Sequence, residues 1–254
     1  MVASSLMIAL VLVILTTLLI AFQVKKTLVS GHKSSQSSSY VKKVPTIIIA
    51  GPSYSGKTSL FHKLTSDETN AKLLTVMSQE PSFALKYKGT MTTLADYPGH
   101  VKLAYKLKNG IIDLKGNLKG ILFVLDSTID PKNITETAEY LTEILLILEK
   151  IREPIDILIA CNKNESFTAR QPLKIKEALE NEITRIFERK KKSLGNIERD
   201  IGDVDEINEN LDLSFDISKG FKFDYLEGNV EVLAGSVHKN KITTWQEWVG
   251  SHLV

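Results

Sequence analysis

The segment Gly51–Thr58, GPSYSGKT, has the residue types and the spacing that suit the binding of phosphate groups. Its pattern, G-x-x-x-x-G-K-[ST], needs glycines because several backbone N–H groups must converge on phosphate oxygens. Lys57 can reach the β- and γ-phosphates of a nucleotide, and the Thr58 hydroxyl can ligate Mg²⁺. We predict that the phosphates are held by Gly51, Ser53, Tyr54, Ser55, Gly56, Lys57, Thr58 and Ser59.

The residues on either side of this loop are typical of the strand–loop–helix unit that the motif requires. Val44–Ala50, VPTIIIA, is a short apolar and β-branched run, which indicates a buried parallel strand. The residues SLFHKL that end at Leu64 have the pattern of the first turns of a helix. The N-terminus of that helix would add its positive dipole end to the phosphate site.

A second apolar run, Ile155–Cys161, leads into the sequence Asn162-Lys163-Asn164-Glu165. This resembles the N-K-x-D signature of Ras-like GTPases, in which the acidic residue accepts hydrogen bonds from guanine N1 and N2. The resemblance implies that Asn162 braces the phosphate loop and that the stem of Lys163 packs on the base. Adenine lacks that pair of donors and would leave the carboxylate unpaired. The sequence therefore favours GTP and GDP over ATP.

Two features leave the selectivity for guanine open. Glu165 replaces the usual aspartate and sets the carboxylate one methylene further out. A third base contact would follow the strand-like segment Val230–Ala234, where Gly235 and Ser236 stand at the position of the Ras-like S-A-K sequence. That match is loose, but backbone N–H contacts need no particular side chain.

The sequence Asp96-Tyr97-Pro98-Gly99-His100 fits the D-x-x-G pattern of a loop that senses the γ-phosphate. Asp96 would hold Mg²⁺ through water, and the Gly99 N–H would meet the γ-phosphate. His100 occupies the position of the water-orienting glutamine of Ras-like enzymes. We take His100 and Gly99 as catalytic candidates and predict slow intrinsic hydrolysis, with a plain solvent-facing role as the alternative for His100.

A first switch is expected within Leu73–Pro81, where a hydroxyl group would ligate Mg²⁺. Ser78 is the preferred ligand and Thr75 is the alternative. The predicted metal site is thus formed by Thr58, Ser78 and Asp96.

The N-terminal residues predict a membrane anchor. Leu6–Phe22 contains no charged residue, and with its apolar neighbours it is long enough to cross a bilayer as a helix. We assign residues 1–24 to a single transmembrane helix, with a cleaved signal peptide and a buried helix of a soluble protein as the alternatives. Lysines follow this segment and none precedes it, so the rest of the chain is expected in the cytosol. Residues 25–43 form a Ser- and Lys-rich tether.

The composition excludes several classes of protein. A net charge of +2 over 254 residues gives no domain-wide basic surface for nucleic acid. The single cysteine, Cys161, excludes a disulfide framework and a cysteine-rich zinc site.

The chain from 44 to 254 alternates strand-like and helix-like segments, which indicates one α/β domain. Leu118–Asp126 is a predicted strand, and helices are predicted for Ile134–Lys150, Pro172–Lys192 and Ile242–Leu253. The acidic residues at about 195–219 are predicted to be an inserted loop. We expect a P-loop GTPase fold, with a mostly parallel central sheet and helices on both faces, preceded by one transmembrane helix.

Taken in order, the apolar N-terminus, GPSYSGKT, DYPGH and NKNE resemble the family of signal recognition particle receptor beta subunits. The resemblance is strongest in three runs, DYPGHVKL, FVLDST and IDILIACNKNESFTARQPLKIKEALE. It implies an endoplasmic reticulum membrane protein whose GTP-bound form holds the receptor alpha subunit, with the translocon and ribosome nearby. In this family the partner docks on the switch regions, which makes Gln79, Tyr97 and His100 contact candidates.

Three alternatives remain at this point. An Arf/Sar-like trafficking GTPase would share the switch chemistry, although such proteins normally bind membranes without a spanning segment. A pseudo-GTPase scaffold would bind nucleotide without turnover, which His100 and Glu165 leave open. A membrane ATPase or kinase is disfavoured by the NKNE sequence.

Overall fold

The computed structural model describes residues 44–65, 79–87, 90–130, 134–197 and 220–253, all within one compact unit, Val44–Val254. The predicted transmembrane helix 1–24, the tether 25–43 and most of the acidic insert lie outside these residues. So do both candidate first-switch ligands, Ser78 and Thr75. None of the helices within the described ranges combines the length and the apolar character needed to cross a bilayer.

Six strands and five α-helices make up the regular structure of the described residues. The strands are β1 Thr46–Ala50, β2 Ser82–Tyr87, β3 Thr90–Asp96, β4 Leu118–Asp126, β5 Asp156–Asn162 and β6 Val230–Ala234. The helices are α1 Lys57–Thr65, α2 Ala104–Asp113, α3 Thr135–Ile151, α4 Pro172–Ile197 and α5 Thr243–His252. Single 3₁₀ turns lie at Val101–Leu103 and Phe223–Tyr225.

The strands form one mixed sheet in the order β2-β3-β1-β4-β5-β6. β3, β1, β4, β5 and β6 are parallel, and β2 pairs antiparallel with β3 at one edge. The prediction of a mostly parallel α/β sheet is therefore confirmed, and the antiparallel edge strand is an addition to it. Because the five parallel strands run in one direction, the loops that follow them meet at the same edge of the sheet.

Alternate side chains of the central strands face opposite layers of helices. On one face Ile47 and Ile49 of β1 belong to a buried cluster with Leu60 of α1 and Trp245 of α5. On the other face the ring of Phe123 in β4 lies 6.2 Å from the ring of Tyr140 in α3. Helices thus cover both faces, as expected.

Two helices differ from the sequence-based expectation. α4 continues to Ile197, beyond the predicted end at Lys192, so residues 195–197 of the predicted insert are helical. Extending an existing helix adds one hydrogen bond per residue fixed, which favours such continuation. α2 was not predicted because Gly110 lies inside it and glycine disfavours helix interiors. A Cβ at Gly110 would lie 2.0 Å from the Tyr97 hydroxyl oxygen, so packing requires the glycine.

Candidate nucleotide-binding site

The loop between β1 and α1 has a backbone that only glycine accommodates at two positions. Gly51 has a φ of 134° and Gly56 a φ of 98°. A Cβ at Gly51 would lie 2.1 Å from the Val124 carbonyl oxygen, and one at Gly56 would lie 2.3 Å from Asn162 Nδ2. The predicted phosphate loop therefore sits tightly against β4 and β5, at the carboxyl ends of these strands.

The other predicted members of this loop differ in exposure. Ser53 is half-buried, and Tyr54, with a φ of 63°, projects from the loop with 81% of its surface exposed. Ser55 is buried, and its hydroxyl has no hydrogen-bond partner within the described part of the chain. Ser59 lies in the first turn of α1. The Ser55 hydroxyl, which has no partner in the described residues, thus lies beside the backbone N–H groups of the loop.

Lys57 is a buried cation at the start of α1, with 6% of its surface exposed. Its Nζ donates a hydrogen bond to the Pro52 carbonyl oxygen at 2.7 Å, across the phosphate loop. Burial lowers the pKa of Lys57 to about 8, and the negative charge of Asp96 opposes that shift. An anion bound in the loop would stabilise the charged ammonium, since burial alone disfavours it.

Thr58 and Asp96 bring two hard oxygen ligands together. The Thr58 hydroxyl donates to Asp96 Oδ2 at 2.7 Å, while Asp96 Oδ1 is buried without a partner in the described residues. Burial raises the pKa of Asp96, and the Thr58 hydrogen bond and the charges of Lys57 and His62 oppose the rise. A hydroxyl and an orphaned carboxylate oxygen fit Mg²⁺, which prefers oxygen ligands and keeps several waters. The described residues hold no cluster of three or more His, Cys, Asp or Glu.

The loop after β3 is pressed onto the phosphate loop. A Cβ at Gly99 would lie 2.4 Å from both the Gly51 carbonyl oxygen and Lys57 Nζ. His100 is exposed, and its Nδ1 accepts a hydrogen bond from the Lys102 N–H at 3.2 Å. The imidazole thereby caps the 3₁₀ turn that leads into α2.

Tyr97 does not have the surface position that we expected of a partner contact. Only 4% of its surface is exposed, and its ring meets that of Phe83 edge-on with 6.3 Å between the centroids. Burial raises the pKa of Tyr97 to about 12, and the charge of Asp113 adds to the rise. Tertiary packing against α2 thus covers this amphipathic side chain, and a contact of Tyr97 with a partner stays a prediction. Gln79 and His100 are exposed.

Asn162, the last residue of β5, joins the phosphate loop to the loop after β6. Its Nδ2 donates to the Ser55 carbonyl oxygen at 2.8 Å, and its Oδ1 accepts from the Val237 N–H at 3.0 Å. The side chain is buried. The contact with the phosphate loop is the one that the N-K-x-D resemblance implies.

Lys163 and Asp126 form an ion pair that the sequence analysis missed. Lys163 Nζ lies 2.5 Å from Asp126 Oδ2, and Asp126 Oδ1 accepts from the N–H and hydroxyl of Thr128 at 2.9 and 2.7 Å. Burial acts to raise the pKa of Asp126, but the hydrogen bonds from Lys163 and Thr128 and the Lys163 charge outweigh it, so the pKa is lowered. The sequence did indicate that Asp126 ends a predicted strand, which places it at the edge of the sheet where the site lies.

The NKNE loop and the loop after β6 are linked to each other. The Asn164 N–H donates to the Gly235 carbonyl oxygen at 3.1 Å, and the Gly235 N–H donates to the Cys161 carbonyl oxygen at 3.0 Å. Slight burial of Glu165 acts to raise its pKa. A hydrogen bond from the Ser236 side chain, its own N–H and nearby positive charges outweigh that effect, so the pKa is lowered. The lowered pKa favours the charged form of the carboxylate that would read guanine.

The predicted residues converge at one edge of the sheet. The loops after β1, β3, β5 and β6 contact one another through the bonds and close approaches described above. Lys57, Asp96 and Gly99 lie on the phosphate side, whereas Asn162 to Glu165 and Gly235 to Ser236 form the base side. The arrangement suits a purine nucleotide with its phosphates on α1 and its base on the NKNE loop.

Comparison with protein families gives an independent description of the chain. The family model "Signal recognition particle receptor beta subunit" matches residues 42–230. The chain is 48% identical over 256 residues to signal recognition particle receptor subunit beta of Saccharomyces cerevisiae, with 100% of both chains covered. The mouse subunit is 27% identical over 154 residues, which are 60% of this chain and 53% of the mouse protein.

Solved structures of similar fold include nucleotide-bound forms. The receptor in its SRb-GDP-Mg form from Chaetomium thermophilum has a TM-score of 0.64 at 26% identity, covering 82% of this chain and 97% of that chain. The SRb-GTP/SRX complex from the same organism has a TM-score of 0.61 at 25% identity, covering 82% of this chain and 98% of that chain.

Proposed function

The chain belongs to the signal recognition particle receptor beta subunit family, and we propose on this premise that it is a membrane-anchored GTP-binding switch. In its GTP form it holds the receptor alpha subunit at the endoplasmic reticulum during co-translational protein targeting. The observation that carries the proposal is the convergence of the phosphate loop, the Asp96–His100 loop and the NKNE loop at one sheet edge. The relatives solved with GTP, GDP and GDP-Mg support the nucleotide.

In this proposal the phosphate side holds the nucleotide through charge and backbone donors. Lys57 neutralises phosphate oxygens, and the N–H groups from Gly51 to Ser59 donate to them. Thr58 and Asp96 hold Mg²⁺, with Ser78 of the first switch as the further ligand. Bound Mg²⁺ supplies charge that offsets that of the phosphates. The orphaned Asp96 Oδ1 beside Thr58 supports this assignment.

The same geometry supports a switch that reads the γ-phosphate. Gly99 already lies against Gly51 and Lys57, so a third phosphate on the loop must be accommodated by the Asp96–His100 segment. That segment continues through the turn capped by His100 directly into α2. A displacement at Gly99 is therefore transmitted to the exposed surface near His100 and Gln79, where the alpha subunit would dock.

We further propose that intrinsic hydrolysis of GTP is slow. Gly99 and His100 are the catalytic candidates, and the Nδ1 of His100 already accepts a backbone hydrogen bond. Orienting a water through Nδ1 requires the imidazole to leave this cap, so we expect hydrolysis to be slow until a partner repositions His100. The protein then acts chiefly by holding its partner.

The proposed cellular arrangement follows from the N-terminal sequence and the family. Residues 1–24 anchor the chain in the endoplasmic reticulum membrane as a single span, and residues 25–43 tether the GTPase domain, 44–254, on the cytosolic side. The alpha subunit is the direct partner, and the translocon and ribosome are nearby.

The proposal is tested by binding of the full chain, in detergent, to an immobilised N-terminal domain of the alpha subunit. We expect at least about tenfold greater retention with a non-hydrolysable GTP analogue than with GDP, which is a typical magnitude of coupling between two sites. The matched control is the same chain with GDP and excess Mg²⁺, which separates the γ-phosphate from the metal. Equal retention with both nucleotides would contradict the switch.

A further inference from the structure

We propose that Asp126 is a positioning residue for guanine nucleotides: it holds the ammonium of Lys163 so that the lysine stem lies ready against the base. This rests on the proposed GTP binding. It extends the site to a residue on β4 that lies outside both the phosphate loop and the NKNE sequence.

The backbone brings the two side chains together before any ligand binds. Asp126 ends β4, and its partner in the parallel ladder is Asn162, the residue before Lys163. Lys163 has a φ of 63°, the left-handed conformation, so its side chain departs from the direction of the strand. This backbone arrangement brings Lys163 Nζ to within 2.5 Å of Asp126 Oδ2.

Asp126 is itself fixed, so it can act as a rigid support. Its Oδ1 accepts two hydrogen bonds from Thr128, one from the N–H and one from the hydroxyl. The remaining oxygen is left for Lys163. The Asp126 side chain is 17% exposed, whereas that of Lys163 is 39% exposed. The ammonium is therefore held while much of the lysine side chain stays accessible to a ligand.

A held lysine binds a base more favourably than a free one. A lysine side chain has high rotamer entropy, and ordering it during binding opposes association. Preorganisation in the free protein removes part of this cost. A partly exposed ion pair contributes little to folding, so the effect of Asp126 is expected in nucleotide binding and not in stability.

The test is the dissociation rate of a fluorescent GDP or GTP analogue from the full chain in detergent. In Asp126→Asn the acceptor for Thr128 is kept and the charge that holds Lys163 is lost. We expect dissociation of both nucleotides to accelerate about tenfold, by similar factors because the γ-phosphate is not involved. Thermal unfolding of the nucleotide-free protein is expected to be unchanged.

Two further variants separate positioning from general damage. Lys163→Met keeps an apolar stem without the ammonium, so adding Asp126→Asn in this background should have no further effect on dissociation. Asp156→Asn, at the opposite end of β5 beside His252, is the matched control and should dissociate like the unaltered chain.

The inference is overturned if Asp126→Asn leaves dissociation unchanged, or accelerates it equally in the Lys163→Met background. A lowered unfolding temperature with unchanged dissociation would assign Asp126 a structural role only. Failure of the unaltered chain to bind either nucleotide would instead overturn the proposed function, and this inference with it.

Discussion

Replacing Lys57 with alanine is expected to weaken the binding of GTP and GDP by roughly 30- to 4,000-fold, or about 2–5 kcal/mol. The ammonium is buried at the phosphate loop, where its interaction with phosphate oxygens is only weakly screened. Its removal leaves the phosphate oxygens that it contacts without this ammonium partner. Equilibrium titration of the full chain with each nucleotide measures the loss.

The same substitution should not destabilise the nucleotide-free protein. Burial disfavours the ammonium, as the lowered pKa of about 8 indicates, and in the part of the chain that the structure describes a backbone carbonyl and Asp96 compensate it. The matched control is Lys63→Ala in the last turn of the same helix, where the ammonium makes an exposed hydrogen bond to Asn240. An affinity of Lys57→Ala within threefold of the unaltered chain would contradict the phosphate assignment.

Replacing Asn162 with alanine is expected to lower the free energy of unfolding by about 2–4 kcal/mol. The amide joins the Ser55 carbonyl oxygen to the Val237 N–H, and the change leaves both backbone groups without this partner in a buried place. Nucleotide binding should weaken as well, since the phosphate loop loses its tether to β5.

Urea unfolding followed by tryptophan fluorescence measures this effect within the GTPase domain. The chain has two tryptophans, Trp245 and Trp248, and both are buried on α5. The midpoint should fall without a change in slope. Asn164→Ala is the control, because Asn164 is exposed and its bond to Gly235 uses the backbone N–H. A decrease below about 0.5 kcal/mol, the range of ordinary surface substitutions, would show that the bridge carries little energy.

The parts of the fold that were predictable are those specified by local pattern. The bounds of β4 and β6 agree with the apolar runs Leu118–Asp126 and Val230–Ala234. The strand β2, SFALKY, was missed because an edge strand lacks a continuous apolar run. α2 was missed because it contains Gly110, a residue that disfavours helix interiors. The glycine is required by close packing against Tyr97, which lies outside the helix, so the helix sequence alone does not explain it.

In the candidate site too, residues in local motifs were predictable and contacts between distant segments were not. The glycines, Lys57 and Asn162 belong to motifs that are contiguous in the chain, and the structure brings those motifs to one sheet edge. The pairing of Asp126 with Lys163 depends on the register between β4 and β5, which no local pattern specifies. The hydrogen bond from the Asn164 N–H to the Gly235 carbonyl oxygen likewise joins loops 71 positions apart. Such contacts become visible only once the strand order is known.

The most direct test of the central claim is a competition titration of the full chain with GTP, GDP and ATP. A site built to hydrogen-bond one base rejects an analogue without those donors by large factors, so ATP should bind at least about 100-fold more weakly than GTP. GTP and GDP should both bind, since the base side of the site is common to them. Binding of ATP as tight as that of GTP would contradict the account.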